Sequence, residues 1–176
     1  QMPVREALSR LAADGAVEIR SKRRIVVPPM TEARYKDLLH CRQLLEPAAA
    51  ALAVAHADRG LLRELVAVDD ALGEALDRGD VEQYMACNHR FHFLIYTAQP
   101  QQTLVQLIET LWLQFGPYMR VVYERYGGAR RVDQHQRAIN ALKRRDIRTL
   151  RSALLADIRE GMSLIARDGF SIGASG

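Results

Sequence analysis

The chain has 176 residues, of which 48% are hydrophobic, and its net charge is +4. This length fits one domain or one domain with a fragment attached. It contains no apolar run of about 18 residues and no signal-peptide pattern, so we expect neither a membrane span nor a membrane partner. Two cysteines give no disulfide framework, which excludes the small disulfide-stapled class and favours a reducing cytoplasm.

The N-terminal 24 residues carry most of the positive charge. They hold six basic and three acidic side chains, a balance of +3 against +4 for the whole chain, which indicates an anionic partner. Residues 3–15 predict a short helix, with Pro3 in its first turn and Gly15 at its end. Residues 17–20 and 25–27 predict two strands around a cationic tip.

A helix followed by a basic hairpin is typical of the second half of a winged helix-turn-helix. In that motif the helix enters the DNA major groove and the wing contacts phosphate or the minor groove. We therefore predict DNA contacts from Arg5 and Ser9 on the helix and from Arg23 and Arg24 on the wing. The alternative is a solvated cationic surface. Because the sequence begins at this helix, we expect a piece of a longer regulator that binds DNA poorly by itself.

The rest of the chain predicts only helices. Pro28 and Pro29 end the hairpin, and Thr31 is a suitable N-cap for the first of about six long helices. Short connections between long helices favour an antiparallel bundle. We expect a break or bend at Gly116 and Pro117. The predicted organisation is a partial winged-helix domain at 1–28 and an all-helical domain at 31–170.

Four polar side chains interrupt apolar helical stripes. Asn88 and His92 are four residues apart on one such stripe, and His135 and Asp157 interrupt the stripes of two later helices. A turn near Asp146 leaves His135 and Asp157 each about 15 Å from it, so an antiparallel pair brings them level. Since a buried polar group is costly without a partner, we predict that all four converge inside the bundle.

Two stretches carry a family resemblance. The run 3–8 (Pro-Val-Arg-Glu-Ala-Leu), Leu11 and the basic hairpin resemble the recognition helix and wing of GntR-type bacterial transcription regulators. The helical part, with Arg42 four residues before Glu46 and His135 followed by Asp157 after 22 residues, resembles the FCD effector domain of the FadR subgroup. The resemblance implies a homodimer that binds a DNA operator and responds to a small organic acid, rather than an enzyme.

The resemblance also implies a divalent metal ion beneath the effector. Its ligands would be Asn88, His92, His135 and Asp157, and the ion would be zinc, nickel or manganese. The family usually has Asp where Asn88 stands and His where Asp157 stands, which keeps one carboxylate but makes the site harder and less zinc-like. The alternative is a metal-free hydrogen-bonded network of the same four side chains.

Three further side chains are candidates for effector binding. Arg42 offers a guanidinium fork for a carboxylate, or else only an ion pair with Glu46 one turn on. Tyr84 and Tyr96 offer hydroxyl groups, or else are core residues. Two other function classes stay open: a metalloenzyme in a helical bundle, for which we find no separate general base or nucleophile, and a metal-free helical dimerisation module.

Overall fold

The chain folds as one helix and a hairpin followed by a bundle of helices. A computed structural model describes residues 2–21, 24–126 and 134–166. This architecture confirms the prediction of a mostly α-helical antiparallel bundle. In chain order the elements are α1 (Met2–Ala13), β1 (Glu18–Ser21), β2 (Arg24–Val26), α2 (Glu32–Ala53), α3 (Arg59–Arg78), α4 (Val81–Tyr96), α5 (Gln102–Phe115), a 3₁₀ helix (Gly116–Tyr118), α6 (Met119–Tyr126), α7 (Gln134–Lys143) and α8 (Ile147–Ala166).

The hairpin after α1 is a short antiparallel pair. Ile19 lies opposite Ile25, and Glu18 lies opposite Val26. Gly15, between α1 and β1, has a φ of 71°, the left-handed conformation that glycine adopts without strain. Arg23, at the predicted tip, lies outside the described residues, so its predicted DNA contact stays a prediction.

Side-chain caps explain where the bundle helices begin. Thr31 accepts a hydrogen bond from the Arg34 amide at the start of α2. Asp58 accepts from the Leu61 amide before α3 at 2.7 Å, and Asp80 begins α4 in the same way. Each cap satisfies an amide that has no partner within the helix. The α4 helix, which carries Asn88 and His92, is therefore fixed at its first turn.

The helix that was expected to bend at Gly116 and Pro117 is interrupted there. It continues through α5 to Phe115, tightens into the 3₁₀ helix at Gly116–Tyr118 and resumes as α6. Pro117 lacks an amide hydrogen and so cannot make the hydrogen bond of a continuous α-helix. The expected bend at this point is thus a change of helix type. Residues 127–133 lie outside the described part of the chain.

Two hydrophobic clusters form the core, with α2 running between α4, α5 and α8. The first cluster is built from α2, α3, α4, α5, α7 and α8, and includes Phe91 and Trp112. The second surrounds Met30 and includes Phe115 and Tyr118. Among the described helices, none combines the length and apolar character that crossing a bilayer requires.

The N-terminal module is attached to the bundle by polar contacts near the end of α5. The Arg34 guanidinium donates to the Gly15 carbonyl at 2.8 Å and to the Gln114 side chain at 3.0 Å. The Tyr118 hydroxyl donates to the Pro28 carbonyl. A methyl group added at Gly15 would lie 3.2 Å from Gln114, so the two parts are in close contact here.

Candidate functional site

Three helices bring His92, His135 and Asp157 together inside the bundle. One ligand atom from each of these side chains lies within 4.8 Å of the other two. Both imidazoles are buried, whereas Asp157 is 28% exposed, so its carboxylate forms the accessible side of the group. We call these three residues the polar centre.

The hairpin of α7 and α8 sets the level of two members of the polar centre. Arg145 has a positive φ of 54° in the connecting turn, and Asp146 begins α8 by accepting from the Thr149 amide at 2.9 Å. The helices then run antiparallel from this turn, which places His135 opposite Asp157. The ring of Phe91 stacks on His135 with centroids 3.8 Å apart and fixes its plane.

A carboxylate on α3 fixes the tautomer of His135. Its Nδ1 lies 2.8 Å from the Asp69 carboxylate, which can only accept a hydrogen bond. Nδ1 therefore carries the proton and donates to Asp69. The other ring nitrogen, Nε2, is directed toward Asp157, with Oδ1 at 3.8 Å.

The Tyr96 phenol and the Glu46 carboxylate fix the tautomer of His92. The Tyr96 hydroxyl donates its one proton to Glu46 at 2.7 Å, so its contact of 3.1 Å with His92 requires Nδ1 of the imidazole to be the donor. Nε2 of His92 then faces Asp157 Oδ2 at 3.2 Å. Both imidazoles thus present Nε2 to one carboxylate while Nδ1 is held by an outer partner.

This arrangement suits a divalent cation. Histidines that bind metals almost always donate their second ring N–H to a carboxylate or similar acceptor, as His92 and His135 do here. Two imidazole nitrogens and one carboxylate form a metal-binding set that leaves positions for other ligands. The residues present therefore fit the ion that the family resemblance implies.

The charges around the polar centre also suit a divalent cation. Glu46, Asp69 and Asp157 contribute three negative charges, and Arg42 contributes one positive charge, so the group is doubly negative when both imidazoles are neutral. A divalent cation would compensate this charge, and so would protonation of both imidazoles. Burial opposes ionisation of Asp157, but a hydrogen bond from His92 when that imidazole is protonated, together with the positive charges of His92, His135 and Arg42, lowers its pKa to about 2.

Arg42 forms a buried ion pair with Glu46. Its Nε lies 2.5 Å and its Nη2 3.3 Å from the two carboxylate oxygens. The guanidinium lies over the rings of Trp112 and Phe115, at 4.9 and 4.3 Å. The ion pair considered as the alternative for Arg42 is thus present, and effector binding by Arg42 stays a prediction.

The phenol of Tyr96 links this ion pair to the polar centre. Burial and the neighbouring Glu46 carboxylate raise the pKa of Tyr96 well above 10, so the phenol stays neutral and donates. A chain of contacts therefore runs from Arg42 through Glu46 and Tyr96 to His92. A shift of the ion pair would also change the contact between Tyr96 and His92.

Two other predicted residues occupy different surroundings. Asn88 is buried one helical turn before His92 on the same face of α4, and its role as a ligand stays a prediction. Tyr84, two turns before His92, packs edge-on against Tyr123 in the second core cluster, with centroids 5.1 Å apart. Effector binding by Tyr84 is likewise untested.

Neither Asp69 nor Trp112 was singled out from the sequence. Asp69 lies four residues after the buried Leu65 and next to the buried Val68, so the search for polar residues on apolar stripes would have found it. Trp112 gives no such signal, because tryptophan is expected in a core. Its indole N–H is buried and lacks a hydrogen-bond partner among the described residues.

The predicted DNA-contact residues lie away from the polar centre. Arg5 and Ser9 are exposed on α1, and the Ser9 hydroxyl donates to the Arg5 carbonyl at 2.9 Å. Arg24 is exposed at the start of β2. These residues belong to α1 and β2, whereas the polar centre is built from α4, α7 and α8.

Comparison with known protein families assigns the chain. The FCD domain family matches residues 37–160, that is 124 of 176 residues, a range that includes the whole polar centre and its outer partners. The chain belongs to the FCD family. This match confirms the resemblance found in the sequence.

Relatives of this FCD protein are transcription regulators. The HTH-type transcriptional regulator McbR of Escherichia coli K12 is 29% identical over 166 residues, covering 93% of this chain and 75% of McbR. An uncharacterised HTH-type regulator from Agrobacterium vitis is 34% identical over 94 residues, 51% of this chain and 54% of its own length. The chain is accordingly a GntR-family transcription regulator, which favours a regulator over an enzyme.

Solved structures of relatives share the FCD fold. The structure of E. coli McbR/YncC matches with a TM-score of 0.85 at 28% identity, covering 95% of this chain and 85% of that chain. A GntR family member from Pseudomonas syringae pv. tomato matches with a TM-score of 0.64 at 22% identity, over 95% of this chain and 70% of that one. The second likeness concerns the fold alone.

Proposed function

We propose that this FCD regulator senses a small carboxylate over a divalent metal ion and transmits the signal to an operator-binding module. His92, His135 and Asp157 would hold the ion. The observation that carries the proposal is the orientation of the two imidazoles, each directing Nε2 toward Asp157 while an outer partner holds Nδ1. That orientation is the one that metal-ligating histidines need.

Asn88 is the fourth proposed ligand. It lies one turn before His92 on the same face of α4, and its amide oxygen is a neutral metal ligand. The candidate ions are zinc, nickel and manganese, and the single carboxylate with an amide oxygen favours a harder ion than an all-histidine set would. When bound, the ion would supply the positive charge on which an effector carboxylate binds.

The end of α5 provides a route from the effector to the DNA-binding module. Trp112 and Phe115 contact Arg42, whereas Gln114 on the same turn contacts Arg34, which in turn holds the Gly15 carbonyl. An effector that moves α5 would therefore move the attachment of the N-terminal module. Such a response requires that the effector bind the two arrangements with different affinities.

Operator binding is proposed for the exposed cationic face of α1 and the wing. Arg5, Ser9 and Arg24 are exposed there, and Arg23 is assigned from the sequence. Phosphate contacts of this kind make binding strongly dependent on salt. Fluorescence anisotropy tests this part. A labelled promoter fragment is titrated with the full-length regulator at salt concentrations from about 50 to about 200 mM.

A homodimer is proposed because the neighbouring helices α2 and α5 expose large apolar side chains. Leu44 and Leu107 are 59% and 51% exposed, and Leu52 and Leu113 are exposed as well. Apolar surface of this kind commonly marks a protein interface. Sedimentation of the wild type and of L44E with L107E separates a dimer from a monomer.

One specific alternative is a metal-free centre. The 3.2 Å separation of His92 Nε2 from Asp157 is itself an ion-pair distance if the imidazole is protonated. In that case the bundle would be a sensor or dimerisation module with a polar core. The two proposals differ in whether the purified protein binds a metal ion.

Titration of the chelated protein with zinc, nickel and manganese by calorimetry decides between them. We expect one ion per chain for the wild type and loss of binding in H92A and D157A. The matched control is H89A on the same helix, since His89 is exposed and stacks on Phe93. If none of the three ions binds the wild type, the metal-dependent proposal is wrong and the metal-free centre is supported.

A further inference from the structure

The indole of Trp112 holds a buried donor that the fold does not use. The side chain is 5% exposed, and Nε1–H lacks a hydrogen-bond partner among the described residues. Leaving a buried donor unpaired destabilises a protein, so such groups are rare and usually have a reason. Trp112 is also the one tryptophan of the chain.

This donor belongs to the surroundings of the polar centre. The Trp112 ring lies 5.3 Å from the His92 ring, measured between centroids, and 4.9 Å from the Arg42 guanidinium carbon. Arg42 directs Nε and Nη2 to Glu46, and the Tyr96 hydroxyl donates to the same carboxylate. The ring that carries this unused neutral donor therefore lies beside the proposed effector site.

We infer that Trp112 Nε1–H determines effector specificity by donating a hydrogen bond to a keto or hydroxyl oxygen next to the effector's carboxylate. The inference rests on the proposed function, in which the carboxylate itself binds over the ion. A neutral acceptor suits this position because Glu46, Asp69 and Asp157 already place three negative charges nearby. A second carboxylate at the indole would add to that charge.

A site with a buried donor discriminates against ligands that cannot pair with it. The N–H is already buried and unpaired in the free protein, so a ligand that carries an acceptor gains a hydrogen bond that a ligand without one cannot make. We expect a preference of about tenfold, which is the upper end of what one ordinary hydrogen bond provides.

The probes are three monocarboxylates of equal carbon number: pyruvate with a keto group, lactate with a hydroxyl group and propionate with neither. Their dissociation constants are measured by calorimetry on the full-length protein loaded with the metal ion that it binds. The wild type is expected to bind pyruvate or lactate about tenfold more tightly than propionate. W112F, which keeps an aromatic ring and removes the N–H, is expected to lose the preference and to bind propionate as the wild type does.

T103A serves as the matched control, because Thr103 is exposed on the same helix and should leave the preference unchanged. A W112F protein that still prefers pyruvate or lactate overturns the inference. Wild-type protein that binds all three acids equally also overturns it, while the proposed function stands. Wild-type protein that binds none of these acids counts against the proposed function and the inference together.

A second measurement on the wild type does not depend on the folding of W112F. The one indole gives a single ¹⁵N–¹H signal. Formation of the proposed hydrogen bond should move its proton downfield on addition of pyruvate or lactate, and propionate should not produce this shift. An indole signal that responds identically to all three acids contradicts the inference.

Discussion

Replacing Asp69 with alanine tests whether the outer partner of His135 serves a metal site. The Asp69 carboxylate accepts the Nδ1 proton of His135 at 2.8 Å and is 16% exposed, so water competes little for this contact. Without it, the imidazole is free to rotate or to change tautomer, and Nε2 no longer has a fixed lone pair directed toward Asp157. Removal of such partners typically weakens metal binding about 10- to 100-fold.

The free energy expected for the lost hydrogen bond agrees with this weakening of metal binding. A hydrogen bond that involves a charged group contributes about 1.5–3 kcal/mol, and a 10- to 100-fold change in affinity corresponds to about 1.4–2.8 kcal/mol. The D69N variant keeps an acceptor oxygen but loses the charge, so its affinity should lie between those of D69A and the wild type. The order wild type, D69N, D69A is thus the signature of an outer partner.

Calorimetric metal titration of the chelated variants is the assay. D70A is the matched control, because Asp70 adjoins Asp69 on α3 but is exposed. Unchanged metal affinity in D69A would refute the reasoning, since His135 would then be oriented without its carboxylate. Equal losses in D69A and D70A would refute it as well, because a general loss of negative charge would then explain both.

Three other predictions address the links around the polar centre. Y96F removes the phenol's hydrogen bond to Glu46 and leaves Nδ1 of His92 without its acceptor, and should lower the free energy of unfolding by about 1–3 kcal/mol in a urea titration; a change within experimental error would contradict the hydrogen-bond chain. R34A should leave metal affinity unchanged but abolish the effect of effector on operator affinity in the full-length regulator, and a retained response would exclude this route. The pKa of Asp157 is lowered from 3.8 to about 2, so its ionised form stabilises the fold above pH 3.8 and this contribution is lost as the pH falls toward 2. The melting temperature of the chelated D157N protein should therefore fall less steeply over that range than that of the wild type, and parallel curves would argue against it.

Helix patterns made much of the bundle accessible from the sequence. The pattern of apolar and polar residues identified the region as helical, and Thr31 marked the start of its first helix. The same patterns showed that His135 and Asp157 interrupt apolar stripes, and counting from the turn at Asp146 placed them level. These are local signals, so a single sequence contains them.

Contacts between distant helices were not accessible in this way. The partner of His135 comes from α3, 66 residues away, and that of Tyr96 comes from α2, 50 residues away. No periodicity states which helices become neighbours. The unpaired indole of Trp112 was also hidden, because only the packed structure shows which buried donors lack an acceptor.

The short distance between Trp112 and Gln114 has a consequence for how such regulators diverge. One turn of α5 both faces the proposed ligand and, through Arg34, supports the N-terminal module. A mutation that adapts this turn to a new effector would also alter how strongly that effector changes operator binding. Effector selectivity and the strength of the response would then change together. A change of effector would require compensating substitutions at Gly15, Arg34 or Tyr118.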